Sequence, residues 1–216
     1  MALTKFNFNS FDLTTVASTG LAFNASANGF DTAAPGAMTL ITTNTISSGV
    51  SSSSFTSGID STYDTYLFKF INIHPASDNV YFQINFSVDG GSNYNVTKTT
   101  TYMNVFHYES GSSTEFAYKN ARDLAQSTND APIMWGVAND NDGSSSGTLY
   151  LFNPSSTTFI KHFISRIQGM VNEPVSQDSY VAGYGNTTSA INAVRFNMSS
   201  GNIDSGVIKM YGLSKS

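Results

Sequence analysis

The sequence contains no cysteine, which removes disulfides, thiolate nucleophiles and cysteine-ligated zinc and suits assembly in a reducing compartment. Charge is scarce too: Asp, Glu, Lys and Arg make up 12% of the chain, against about a quarter in an ordinary globular protein. With 10 basic residues against 15 acidic ones, a formal net charge of −5 and no Lys/Arg run, attraction to nucleic acid or to an anionic membrane is not expected. No apolar stretch reaches the roughly 18 residues of a membrane span. The opening Met1-Ala2-Leu3-Thr4-Lys5-Phe6-Asn7 lacks the apolar core of a signal peptide, so a chain made without processing is expected. A Gly-x-Ser-x-Gly elbow, a P-loop and a His-Glu-x-x-His string are all missing, and the expectation is a protein that is not an enzyme and needs no cofactor. His74, His107 and His162 are far apart, without the short regular spacing of a metal site on one element, and are read as structural.

What the sequence does have is aromatic side chains, 16 Phe and 11 Tyr, set among Ser, Thr, Asn and Gly. That supply of apolar surface is enough to fold, and 216 residues enclose a full core, so one large domain is expected. Residues 1–38 read as an N-terminal arm. Their apolar positions are too sparse for a core, and Phe6, Phe8, Phe11 and Phe23 are the candidates for anchoring the arm on another subunit.

From residue 39 to 216 strand patterns alternate with turn clusters. Thr39–Ile46 and Val50–Phe55 flank Ser47-Ser48-Gly49 and read as a hairpin. Tyr66–Ile73 is apolar on nearly both faces and reads as a central strand. Val80, Phe82, Ile84, Phe86 and Val88 fall at strict period two, which places five apolar side chains on one face. Asp89-Gly90-Gly91-Ser92-Asn93 tolerates positive φ and reads as the turn joining that strand to Tyr94–Val105. Ala117–Gln126 is read as irregular. Further strands are expected at Ile133–Ala138, Gly147–Phe152, Thr158–Ile167, Tyr180–Tyr184, Ala190–Phe196 and Gly206–Leu213. About ten short strands with turns every 8–12 residues predict an all-β protein, a two-sheet antiparallel β-sandwich of jelly-roll-like form carrying the extended arm.

Few residues suggest ligand chemistry. Asn139-Asp140-Asn141-Asp142-Gly143 is oxygen-rich like the start of a calcium loop, but counting from Asp140 the later positions, Ser145 and Leu151, do not fit an EF-hand, so a plain turn is expected and no metal. Asn139, Asp140 and Asp142 stay as possible ligand-loop residues beside Tyr180 and Tyr184. Those two tyrosines, with Trp135, are the aromatic candidates for stacking on sugars. Asp60 with Asp64, or Asp140 with Asp142, would have to meet across a groove to act as a glycosidase pair.

Gly58-Ile59-Asp60-Ser61-Thr62-Tyr63, then His74-Pro75-Ala76-Ser77-Asp78-Asn79, then Asp89-Gly90-Gly91-Ser92-Asn93-Tyr94, with the closing Ile208-Lys209-Met210-Tyr211-Gly212-Leu213, resembles jelly-roll-like virion structural proteins of tailed bacteriophages, especially marine ones. The resemblance covers roughly Thr39 to Tyr94 and the last strand. It implies a module, often trimeric, that decorates a capsid or forms a fibre head, and it carries over no catalytic residue. The expectation is a homotrimer located in the virion and assembled in the host cytoplasm. In that setting it docks on other virion proteins such as the major capsid protein, and a fibre or tail-tip head binding host glycans is the alternative.

Overall fold

The computed structural model describes residues 21–23, 30–32, 37–172 and 174–213, the side chains of the first two stretches excepted. Leu21–Phe23 (β1) and Phe30–Thr32 (β2) pair antiparallel within a unit of their own, Met1–Ala37. Phe6, Phe8 and Phe11 lie outside the described residues, and the Phe23 side chain lies outside the described side chains.

The second unit, Met38–Ser216, is all-β, with no helix among its described residues. Its strands are Met38–Ile46 (β3), Ser52–Phe55 (β4), Thr65–Pro75 (β5), Val80–Ser87 (β6), Lys98–Tyr108 (β7), Thr114–Tyr118 (β8), Ala131–Val137 (β9), Ser145–Phe152 (β10), Lys161–Val171 (β11), Val175–Gly185 (β12), Ala193–Met198 (β13) and Ile203–Leu213 (β14). They form one large antiparallel sheet, nearly closed on itself. Eight strands run in the order β3-β14-β5-β10-β11-β12-β7-β8 and four more as β9-β6-β13-β4. The two runs join where Val171 of β11 pairs with Val137 of β9. On the far side Val50, just ahead of β4, exchanges two backbone hydrogen bonds of 2.9 Å with Ile203 of β14.

The pairing is nested. β3 pairs with β14, β4 with β13, β5 with β10 and β6 with β9, as in a long hairpin rolled up on itself. Two further hairpin arms interrupt it: β7 and β8 fall between β6 and β9, and β11 and β12 between β10 and β13. Their strands extend the β10 edge outward as β11-β12-β7-β8. This nesting corrects two readings of the sequence. β3 and β4 are not a hairpin, and neither are β6 and β7; in each case the strand segments exist but pair with distant partners instead of with each other.

β6 follows its period-two pattern: Val80, Phe82, Ile84 and Phe86 are all buried. Val88 is not the fifth inward residue. The strand ends at Ser87, the chain turns at Gly90 and Gly91, both at positive φ, and Val88 is exposed. β5 is central, paired by β14 on one side and β10 on the other. A bulge at Asn72 (φ 49°) twists its end and faces Gly206 (φ 136°) of β14, where a Cβ would sit 2.9 Å from the Asn72 carbonyl oxygen. A side chain at position 206 is therefore strained twice over, by φ and by contact.

The runs fold over so that their inner faces meet in an aromatic cluster. Phe196 of β13 lies 5.3 Å from Phe68 and 5.1 Å from Phe70 of β5, ring centre to ring centre, and also packs on Phe82 of β6 and Phe55 of β4. Edge-to-face pairs at these distances each add about 0.5–1.5 kcal/mol beyond area burial. Toward β11-β12-β7 the interior becomes polar. Tyr102, Asn104, Gln177 and Ser179 are buried there, and the Tyr102 hydroxyl meets Ser179 Oγ at 2.7 Å. Pairing of this kind is what makes a buried polar layer tolerable.

Candidate functional site

Strand alternation decides which side chains the β11-β12-β7-β8 extension presents to solvent. Along β7, Lys98, Thr100, Tyr102 and Asn104 point inward, so Met103 and Val105 point out. On β8, Phe116 sits opposite Val105 and Tyr118 opposite Met103. β12 brings Tyr180 opposite Met103 from the other side and continues the face through Ala182 to Tyr184. β11 adds Ile164 opposite Ala182. Exposure is high for large apolar groups: Phe116 71%, Ile164 52%, Tyr118 51%. A shallow trough of about 430 Å³ crosses this face between Thr101, His162, Ile164, Ala182 and Tyr184.

The same face carries little charge: beside it the Tyr118 hydroxyl donates to the Asp123 carboxylate. Arg166 and Asp178 bind each other through Arg166 Nη2 to Asp178 Oδ2 at 2.7 Å and Nε to the same oxygen at 3.0 Å. Tyr180 closes the group: its hydroxyl donates to Asp178 at 2.9 Å, its ring lies 4.9 Å from the Arg166 guanidinium, and the hydrogen bond to Asp178 raises its pKa. The sequence pointed to Tyr180 and Tyr184, and the fold puts both on one face. It missed Met103, Val105, Phe116 and Ile164, although Met103/Val105 and Phe116/Tyr118 are spaced two apart, the available signal of an apolar outer stripe.

The loop candidates gather elsewhere. Asn139, Asp140 and Asp142 belong to the β9–β10 turn, closed by the Gly143 N–H donating to the Asp140 carbonyl at 2.8 Å. His74 leans on it, Nε2 lying 3.1 Å from the Asp140 carbonyl oxygen and Nδ1 3.6 Å from the Asp204 carboxylate. A cleft of about 400 Å³ opens there, but among the described residues no three metal-capable side chains converge. The Asp60 carboxyl accepts from the Thr62 N–H at 2.8 Å and from the Tyr66 hydroxyl, and hydrogen bonding from Thr62 holds it below the usual carboxylate range. That environment makes it a turn cap. Trp135 is half-buried with the Arg122 guanidinium 3.7 Å above its ring, so that face of the indole is already occupied.

A second feature, with no sequence signal, lies on the outer side of the four-strand run. Tyr81 and Gln83 of β6, Arg195 of β13, Tyr94, Arg122 and Asp130 line a polar cleft of about 500 Å³. Asp130 is its hub: Oδ1 accepts from Asn85 Nδ2 at 2.7 Å and Arg195 Nη2 at 2.8 Å, and Oδ2 from Asn197 Nδ2 at 3.1 Å. The carboxylate is held by two neutral donors and one cationic donor, an arrangement that locks the loop ahead of β9 onto β6 and β13. No family profile matches the chain, and no curated protein matches it.

Proposed function

We propose that the chain is a structural protein of a tailed-phage virion, a capsid decoration protein of jelly-roll form that acts by contact and not by turnover. The observation that carries this reading is the sparsely charged, aromatic outer face of β11-β12-β7-β8. A contiguous exposed apolar surface of this kind marks an interaction site. The occupant we assign to it is a second copy of the same chain, most simply in a trimer. The protein as a whole carries −5 and repels itself, whereas this face presents mostly apolar side chains, an Arg166–Asp178 ion pair and, beside it, the Asp123 carboxylate capped by Tyr118, so it is where copies approach with little penalty. The nested strand pairing supports the jelly-roll part of the reading, since that fold is built from eight strands in two Greek keys. The resemblance of Gly58–Tyr94 to phage virion proteins supports the location. A fibre head that binds host glycans has one observation in its favour, the tyrosine- and amide-lined cleft beside Asp130.

Cryo-EM of intact particles tests the proposal. Density for this fold on the outside of the shell, with the β11-β12-β7-β8 faces turned toward one another, is the expected result. Density at the tail tip with those faces in solvent would favour the glycan reading, and absence from the particle would overturn both.

A further inference from the structure

Beside the polar cleft, two buried side chains are placed as reactants. Lys98, at the start of β7, is 0% exposed and Asn85 of β6 is 1% exposed. Lys98 Nζ lies 2.6 Å from Asn85 Oδ1 and donates also to the Val96 carbonyl at 2.7 Å. All four hydrogen-bonding positions of the Asn85 carboxamide are filled. Oδ1 accepts from Lys98 and from the buried Phe86 N–H at 2.9 Å; Nδ2 donates to Asp130 Oδ1 at 2.7 Å and to the Thr128 carbonyl at 3.1 Å. An amine is therefore hydrogen-bonded to the oxygen of an amide carbonyl, which also takes a backbone donor, while a carboxylate lies on the amide nitrogen.

We propose that Lys98 and Asn85 join in an intramolecular isopeptide bond, with Asp130 carrying the proton. The Nζ lone pair adds to Asn85 Cγ, and the carbonyl π pair moves onto Oδ1, where the Phe86 N–H holds the developing charge. The proton lost by Nζ passes to the Asp130 carboxylate and on to Nδ2. The Cγ–Nδ2 bond breaks and ammonia leaves, so amine plus carboxamide gives secondary amide plus ammonia with no oxidant or co-reactant.

Burial lowers the Lys98 pKa to about 8, the Asp130 charge opposing the shift. Roughly one amine in ten is then neutral at pH 7, against fewer than one in a thousand for an exposed lysine. Fixed proximity supplies the rest, as it does for other intramolecular additions. The product would tie the end of β6 to the start of β7, a covalent staple in a chain that has no cysteine.

Intact mass spectrometry of the purified, denatured full-length chain is the test. The expected mass is one ammonia below that of the sequence, and trypsin should fail to cut after Lys98, leaving a single 70–119 fragment that is light by the same amount and yields no sequence ions between 85 and 98. A Lys98→Arg variant should keep its full mass, as should an Asp130→Asn variant whose circular dichroism matches the parent. A parent chain at full mass that trypsin cleaves after Lys98 would overturn the proposal. So would ammonia loss that persists in Lys98→Arg, because the loss would then arise elsewhere.

Discussion

Phe196→Ala is the substitution that most directly probes how the two strand runs meet. Phe196 is fully buried and touches rings from β4, β5 and β6 at once. Its removal opens a hole where the four-strand run lies on the eight-strand run. Deleting a buried phenylalanine side chain costs about 3–5 kcal/mol, and a ring wedged among aromatic neighbours from three strands belongs in the upper part of that range. For a chain of this length each kcal/mol moves the melting temperature by about 2–4 °C, so a fall of about 8–20 °C is expected by calorimetry or by circular dichroism. Phe159→Ala is the matched control: that ring is 69% exposed, and a change within about 0.5 kcal/mol is expected. If Phe196→Ala lost no more than its control, the two runs would not be packed through these rings and the folded-over sheet would be wrong.

Three other outcomes are expected. Phe116→Asp combined with Ile164→Asp should shift the purified protein toward monomer in sedimentation velocity. Since both side chains are exposed, its unfolding free energy at a concentration where the parent is also monomeric should stay within about 0.5 kcal/mol of the parent. Asp89 accepts from Ser87 Oγ at 2.6 Å and from both nitrogens of Asn93, and hydrogen bonding from Ser87 foremost lowers its pKa from 3.8 to about 2. A folded pKa below the unfolded one gives stability that is present above pH 3.8 and lost as pH falls through 2. The carboxyl resonance should therefore titrate near 2 by NMR, and Asp89→Asn should flatten the stability loss between those pH values. Gly212→Ala would push a Cβ into the Tyr63 ring, which lies directly over the Gly212 backbone; a loss of about 1–3 kcal/mol is expected in urea unfolding.

Much of the strand content was legible in the sequence, because alternation is a local property: β6 and the central β5 follow from their own residues. Pairing was not. β3 and β14 are bonded across almost the whole length of the unit, and nothing within Thr39–Ile46 indicates that its partner is the last strand and not the next one. Turn residues such as Ser47-Ser48-Gly49 mark a reversal of the chain without saying whether the two arms meet. β8 was missed because a short edge strand with Thr114 and Glu115 needs little apolar patterning. Tyr180 and Tyr184 stood out as aromatics near a strand end, but their neighbours Val105, Phe116 and Ile164 become one surface only through the cross-strand register. The Asp130 cluster draws Asn85, Lys98 and Arg195 from three other segments at unrelated spacings, so only the fold assembles it.

The sparsely charged aromatic face is the place where we propose that copies of the chain meet. Light scattering of the purified full-length chain over a range of concentrations measures this directly. A molar mass that is a multiple of 23.2 kDa, three copies being expected, is the result predicted. A mass of 23.2 kDa at every concentration, with Phe116 and Ile164 left in solvent, would contradict it.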